Sequence, residues 1–111
     1  MHLEELQRLL AGGEDSQHQF KREITHPDSL AAELVALSNS GGGRIFIGVA
    51  DDGRISGLSP QQVRTLNQLL SNTASNNVRP PIHPSTQNIA TEQGVVIVVT
   101  VAAGLNQPYM D

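Results

Sequence analysis

Three consecutive glycines, Gly41, Gly42 and Gly43, separate two stretches of sequence that differ in hydrophobic period. Before the glycines, apolar residues recur at the spacing of one helix face, and Pro27 with Asp28 supplies a helix start. After them, RIFIGVA is a short apolar run rich in β-branched residues, which predicts a central, buried strand. The order of helix, glycine turn and strand therefore indicates a chain that mixes α and β structure in one domain.

The glycine run is best explained as a helix C-cap followed by a tight turn. An anion cradle of backbone N–H groups is the alternative, but phosphate-binding glycine loops normally precede a helix, and these follow one. No P-loop motif occurs, so ATP binding has no support. Asn39 is expected to act as a structural turn residue beside the run. Asp51, Asp52 and Gly53 are predicted to form a hairpin turn, although the two carboxylates could also be metal ligands.

The remaining segments complete an α/β (α+β) fold, a mixed β-sheet covered by about three helices. A loop rich in Ser, Asn and Pro is expected between the last helix and the last two strands. The predicted segments are a helix over 2–11, a strand ending near Ile24, a second hairpin arm at RISGL, a helix capped by Ser59 and running from Pro60 to about Ser71, an edge strand over 85–89, and a valine-rich strand at GVVIVVTVA.

Composition limits the classes of function that this chain can have. Its 111 residues, 38% of them hydrophobic, suffice for one core, and we expect a single domain over residues 1–111. The absence of cysteine excludes disulfides and thiolate sites, and the four histidines are too scattered for a zinc site. No signal peptide or membrane-spanning run is visible, so we expect a cytoplasmic protein without membrane contact. The net charge of -4 restricts any nucleic-acid contact to a local basic patch.

Three motifs in order, EDSQHQFKRE, LVALSNSGGG and RIFIGVADDGRISGL, resemble the AlbA_2 domain of Schlafen proteins and of bacterial helicase-related proteins and transcriptional regulators. The resemblance implies a nucleic-acid-binding domain, with DNA favoured over RNA, that is not catalytic by itself. It also implies a place at the head of a longer chain, so that the remaining domains of the parent protein are expected partners. On this interpretation the sequence is a fragment that lacks part of its parent and an element at the edge of its sheet.

Some relatives in the Schlafen family are endoribonucleases that hold a divalent metal with three carboxylates. By motif, those positions fall on Glu14, Gln19 and Asp51 in this sequence. A glutamine amide offers a neutral oxygen where magnesium or manganese prefers a charged one, so Gln19 breaks the set. Glu14 and Asp51 are therefore weak candidates for catalysis or metal binding, and no cofactor is expected unless the nuclease alternative holds.

The candidate nucleic-acid contacts are Lys21 and Arg22, which lie on the first predicted strand, and Arg44 and Arg54, which flank the hairpin between the glycine run and the Asp-Asp-Gly turn. The alternative for each is solvated surface charge. Alternation along a strand prevents Lys21 and Arg22 from facing the same side, and Lys21 is favoured because it is the residue of the family motif. A protein–protein module is the third possibility, because the acidic composition and the valine-rich strand near the end of the chain suggest an open sheet edge for a partner or a second copy.

Overall fold

One mixed sheet of four strands forms the centre of the molecule, with helices on both faces. The computed structural model describes residues 1–76 and 83–104, without the side chains of residues 74–76. The helices are α1 (Leu3–Ala11), α2 (Pro27–Asn39) and α3 (Pro60–Asn76), and the strands are β1 (His18–Lys21), β2 (Gly42–Ile47), β3 (Ser85–Thr91) and β4 (Gly94–Ala102). The predicted mixed sheet with three helices is confirmed.

The strands lie in the order β1-β2-β4-β3, so β2 and β4 are central and β1 and β3 are the edges. β1 pairs with β2 in parallel, with α2 as the connection, and the other two pairings are antiparallel. The central position of β2 and the edge position of β3 were both predicted. The suggestion that the valine-rich strand offers an open edge is wrong, because β4 is paired on both sides.

Alternation along the central strands divides the core into two layers. On the face that we call the two-helix face, Ile45 and Ile47 of β2 pack with residues of α2 and α3. On the opposite face, which we call the one-helix face, Phe46 packs with Leu6 and Leu10 of α1. Both layers exclude solvent, since all five of these side chains are at least 96% buried. Each central strand is therefore apolar at nearly every position, which explains why their sequences show no polar alternation.

The glycine run allows β2 to enter between its two neighbours. Gly41 and Gly42 have φ angles of +95° and +93°, which L side chains rarely adopt. A Cβ on Gly42 would lie 2.8 Å from the carbonyl oxygen of Val101 in β4, and one on Gly43 would lie 2.6 Å from that of Gln17. The predicted turn thus takes up Ser40 and Gly41 alone, because Asn39, expected in the turn, is the last residue of α2, and Gly42 and Gly43 already belong to β2.

Several element boundaries differ from the prediction. β1 ends at Lys21 instead of near Ile24, and α3 continues through Ser71 to Asn76, so the predicted loop begins later; residues 77–82 of it lie outside the described residues. The second hairpin arm forms only isolated bridges, because Gly48, at φ +103°, turns the chain out of the strand. The turn that contains Gly53 is present, with the Gly53 N–H donating to the carbonyl of Ala50 at 2.9 Å.

The cap predicted for α3 is confirmed as a reciprocal pair of hydrogen bonds. The Gln62 N–H donates to Ser59 Oγ at 3.2 Å, and the Ser59 N–H donates to Gln62 Oε1 at 2.8 Å. Two of the N–H groups at the start of α3 are thereby satisfied, as in a capping box. Within residues 1–76 and 83–104, no helix combines the length and the apolarity that crossing a membrane requires.

We predict that Gly43→Ala lowers the free energy of unfolding by about 1–3 kcal/mol, since the added methyl group meets backbone that cannot move without disturbing the β1–β2 pairing. Gly12→Ala is the matched control, because Gly12 has φ -76° and its Cβ would meet its nearest neighbour at 3.4 Å. Urea denaturation of the three proteins measures the difference. Equal stabilities of the two variants would contradict this account of the glycine run.

Candidate functional site

One polar side chain from each of the four strands lies in a single row across the sheet. The strand pairings align His18 with Arg44, Arg44 with Thr100, and Thr100 with Ser85. Phe46, two residues after Arg44, packs against α1, so the row lies on the one-helix face. We call these four residues the polar row. His18 and Arg44 are half-buried, and Thr100 and Ser85 are exposed, so the row is open to solvent.

The position of α1 leaves the polar row uncovered. At the start of α1, the Met1 carbonyl accepts a hydrogen bond from Gln87 Nε2 at 2.7 Å, and the Met1 amino group donates to Gln87 Oε1 at 2.8 Å. At the other end, Leu10 packs near Gly53, beyond the far end of β2. The helix therefore covers the row that contains Phe46 and Val98 and stops short of the row that contains Arg44.

Arg44 is the cation of the polar row, and two shallow grooves meet at it. One groove is lined by His18, the glycine run and the end of β4, and the other by Ser85, Gln87 and the start of α1. Glu5 is the one acidic residue among the described residues that line either groove. Among residues 1–76 and 83–104, no carboxylate lies within ion-pair distance of the Arg44 guanidinium. With respect to the described residues, its five N–H donors are thus available to an anion.

His18 is held in place from two sides. Its Nδ1 lies 2.9 Å from Oδ1 of Asp15, an oxygen that also accepts a hydrogen bond from the Gln17 N–H at 2.8 Å. The imidazole is nearly parallel to the Phe46 ring, at an interplanar angle of 12° and a centroid separation of 6.2 Å. The Gln17 N–H, and after it the imidazole, lower the pKa of the Asp15 carboxyl below its ordinary value. The ring therefore has a fixed orientation beside Arg44.

The other three predicted basic residues do not join Arg44. Lys21 faces the two-helix face, where its Nζ lies 3.1 Å from Oε1 of Glu33 in α2. Arg54 lies past the other end of β2, after the turn that contains Gly53, and pairs with Asp52 at 3.6 Å. Arg22 is exposed just after β1. The structure therefore distributes these residues over both faces and both ends of the sheet.

The metal site considered for this chain comprises Glu14, Gln19 and Asp51. Glu14 accepts a hydrogen bond from the Phe20 N–H at 3.2 Å and so covers a backbone group of an edge strand. Gln19 donates its amide to the Asp15 carbonyl at 2.7 Å, and Asp51 is an exposed turn residue. In the part of the chain that the structure describes, no three His, Asp or Glu side chains lie close enough together to hold a metal ion.

Sequence reasoning did not identify His18, Thr100 or Ser85 as site residues. The sequence of β4 contains one indication of a site residue, because Thr100 is the single polar residue in GVVIVVTVA. Its meaning depends on the strand pairing, because only the register aligns this threonine with Arg44 and Ser85.

The family model for the Schlafen AlbA_2 domain matches residues 14–111, which include the whole polar row. The chain belongs to the Schlafen AlbA_2 family. The match begins after α1, so the helix that covers the one-helix face lies outside the matched part of this AlbA_2 domain. No curated protein is significantly similar to the chain in sequence.

Solved structures share the fold of this AlbA_2 domain. The N-terminal domain of an ATP-dependent DNA helicase RecG-related protein from Nitrosomonas europaea superposes with a TM-score of 0.68 at 22% identity, over 94% of this chain and 74% of that one. The DIP2311 protein from Corynebacterium diphtheriae gives a TM-score of 0.61 at 17% identity, over 98% of this chain. The chain spans only 23% of that protein, which shows the same fold inside a longer chain.

We predict that the Asp15 carboxyl titrates below its ordinary value in the folded AlbA_2 domain and at that value in urea. Because the folded pKa is lowered, the stabilisation from this contact is complete above the unfolded pKa and is lost as pH falls through the folded one. The carboxyl carbon shift, followed by NMR between neutral and acid pH, gives the midpoint. His18→Gln should reduce the shift without abolishing it, since the Gln17 N–H has the larger effect. A midpoint that is unchanged on unfolding would contradict the hydrogen-bonded geometry.

Proposed function

We propose that this AlbA_2 domain binds nucleic acid through Arg44 and the polar row. The observation that carries the proposal is a half-buried arginine, unpaired among the described residues, at the meeting point of two open grooves. A guanidinium fork matches the geometry of a phosphate group better than an ammonium does. Thr100 places a hydroxyl group beside it, and Ser85 places a second one on the next strand, and both can donate to phosphate or sugar oxygens.

The net charge of the chain determines where we expect nucleic acid to bind and how the affinity depends on salt. With a net charge of -4, most of the surface repels a polyanion, so the contact is confined to the one-helix face around Arg44. Affinity should be weak for the isolated domain and should decrease steeply with salt. Phosphate contacts by Arg44 and two hydroxyls need no metal or nucleotide, so we propose a non-catalytic role without a cofactor.

DNA is the favoured ligand, and a longer protein is the favoured setting. The structural neighbour from N. europaea is the N-terminal domain of a protein described as related to a DNA helicase, and the C. diphtheriae neighbour contains the fold within a longer chain. We propose by analogy that this domain attaches a cytoplasmic regulator or helicase-related protein to DNA. The other domains of that protein would supply its further activities.

We predict that Arg44→Ala weakens binding to a fluorescein-labelled DNA oligonucleotide roughly tenfold at low salt, because one charge-assisted phosphate contact is lost. The slope of log affinity against log salt should fall by about 0.9 for a duplex and about 0.7 for a single strand. Fluorescence anisotropy at several salt concentrations measures both quantities.

Arg64→Ala is the matched control, since Arg64 is exposed on α3, which packs on the two-helix face. Lys21→Ala should likewise have little effect, because Lys21 is on that same face and is paired with Glu33. Equal losses in Arg44→Ala and Arg64→Ala would mean that binding is diffuse, and the absence of low-salt binding by the wild-type domain would refute the proposal.

A further inference from the structure

We infer that the imidazole of His18 is a stacking platform for one nucleobase, which makes the polar row selective for single-stranded over double-stranded nucleic acid. The inference rests on the proposed function and specifies its ligand. It follows from the orientation of the ring, from its exposure and from its position next to Arg44.

The His18 ring meets the physical requirements of a platform. Its side chain is 28% exposed, so part of the ring is open to solvent, while the rest lies against its neighbours. The nearly parallel, buried Phe46 ring supports it on the protein side, and the Asp15 carboxylate, 2.9 Å from Nδ1, fixes its plane. A base that stacks on the ring therefore orders little that is not already ordered, which favours binding.

The alignment of His18 with Arg44 places a base site and a phosphate site side by side. The two residues are partners on adjacent strands, and strands are spaced about 4.8 Å apart. A phosphate bound to the guanidinium and a base from the same or the next nucleotide reach both side chains together. The hydroxyls of Thr100 and Ser85 extend the polar row from this point to the other edge of the sheet and continue the path of the nucleic-acid strand.

A duplex could use only half of this arrangement. Its bases are already stacked on one another and paired, so their faces are not available to a side chain, whereas those of a single strand are. Phe20 and Phe46 are buried and cannot take the place of His18. The polar row thus offers a duplex the phosphate contact of Arg44 and offers a single strand the same contact plus one stacked base.

Two substitutions at His18 separate stacking from other roles. His18→Ala should weaken single-strand binding about fivefold or more and weaken binding to the matching duplex much less, since a stacked base is lost from the single-strand complex alone. His18→Phe keeps a flat ring but removes both ring nitrogens, and it should retain most of the wild-type affinity for the single strand. Arg44→Ala should weaken binding to both ligands.

A direct readout comes from His18→Trp, because the chain contains no tryptophan of its own. Single-stranded oligothymidylate should quench the fluorescence of the introduced indole, whereas a duplex, or a single strand of the same length built from abasic sites, should not. Circular dichroism of each variant at the same concentration establishes that the fold is intact.

The outcomes distinguish this inference from the proposed function. Binding that depends on Arg44 but is equally strong for single strand and duplex, with no effect of His18→Ala, would overturn the platform and leave nucleic-acid binding in place. An equal loss in His18→Phe and His18→Ala would assign His18 a polar role and would also overturn the platform. If the wild-type domain binds neither ligand at low salt, both proposals fail.

Discussion

The close approach of three backbones at the start of β2 is the constraint on which the rest of the structure depends. At Gly42 and Gly43 there is no room for a Cβ, because the atom would lie within 3 Å of the carbonyl oxygen of Val101 or Gln17. This lack of side chains lets the chain leave α2, turn, and insert at once between β1 and β4. The pairing of β2 with both neighbours fixes the register of the sheet, and with it the position of every side chain on the two faces.

The two faces of the sheet have different roles. The two-helix face is closed by α2 and α3 over an apolar layer, and its one charged strand residue, Lys21, is neutralised by Glu33. On the one-helix face, α1 closes the row that contains Phe46 and Val98 and leaves the row of Arg44 open. Ile45 therefore completes the core of the two-helix face, whereas Arg44, one residue earlier, faces the opposite side, where α1 does not cover it.

Much of the fold followed from local patterns. The hydrophobic period of α2, the β-branched run of β2, the capping pair at Ser59 and the polar composition of β3 each point to the observed element, because each depends on contacts within a short segment. The wrong prediction for β4 did not come from such a local pattern. The position of this valine-rich strand in the sequence suggested an open edge, although its lack of polar residues is typical of a strand paired on both sides.

The sequence by itself determined the family, the classes of secondary structure and four basic candidates for nucleic-acid contact, because motifs, periodicity and residue chemistry can be read along the chain. Only the tertiary structure decided which candidates act together. Lys21, Arg22 and Arg54 are as basic as Arg44, but strand alternation, an acidic neighbour or the length of β2 separates them from it. His18, Thr100 and Ser85, distant in sequence, lie beside Arg44 because strand register is set by long-range pairing, which no local pattern specifies.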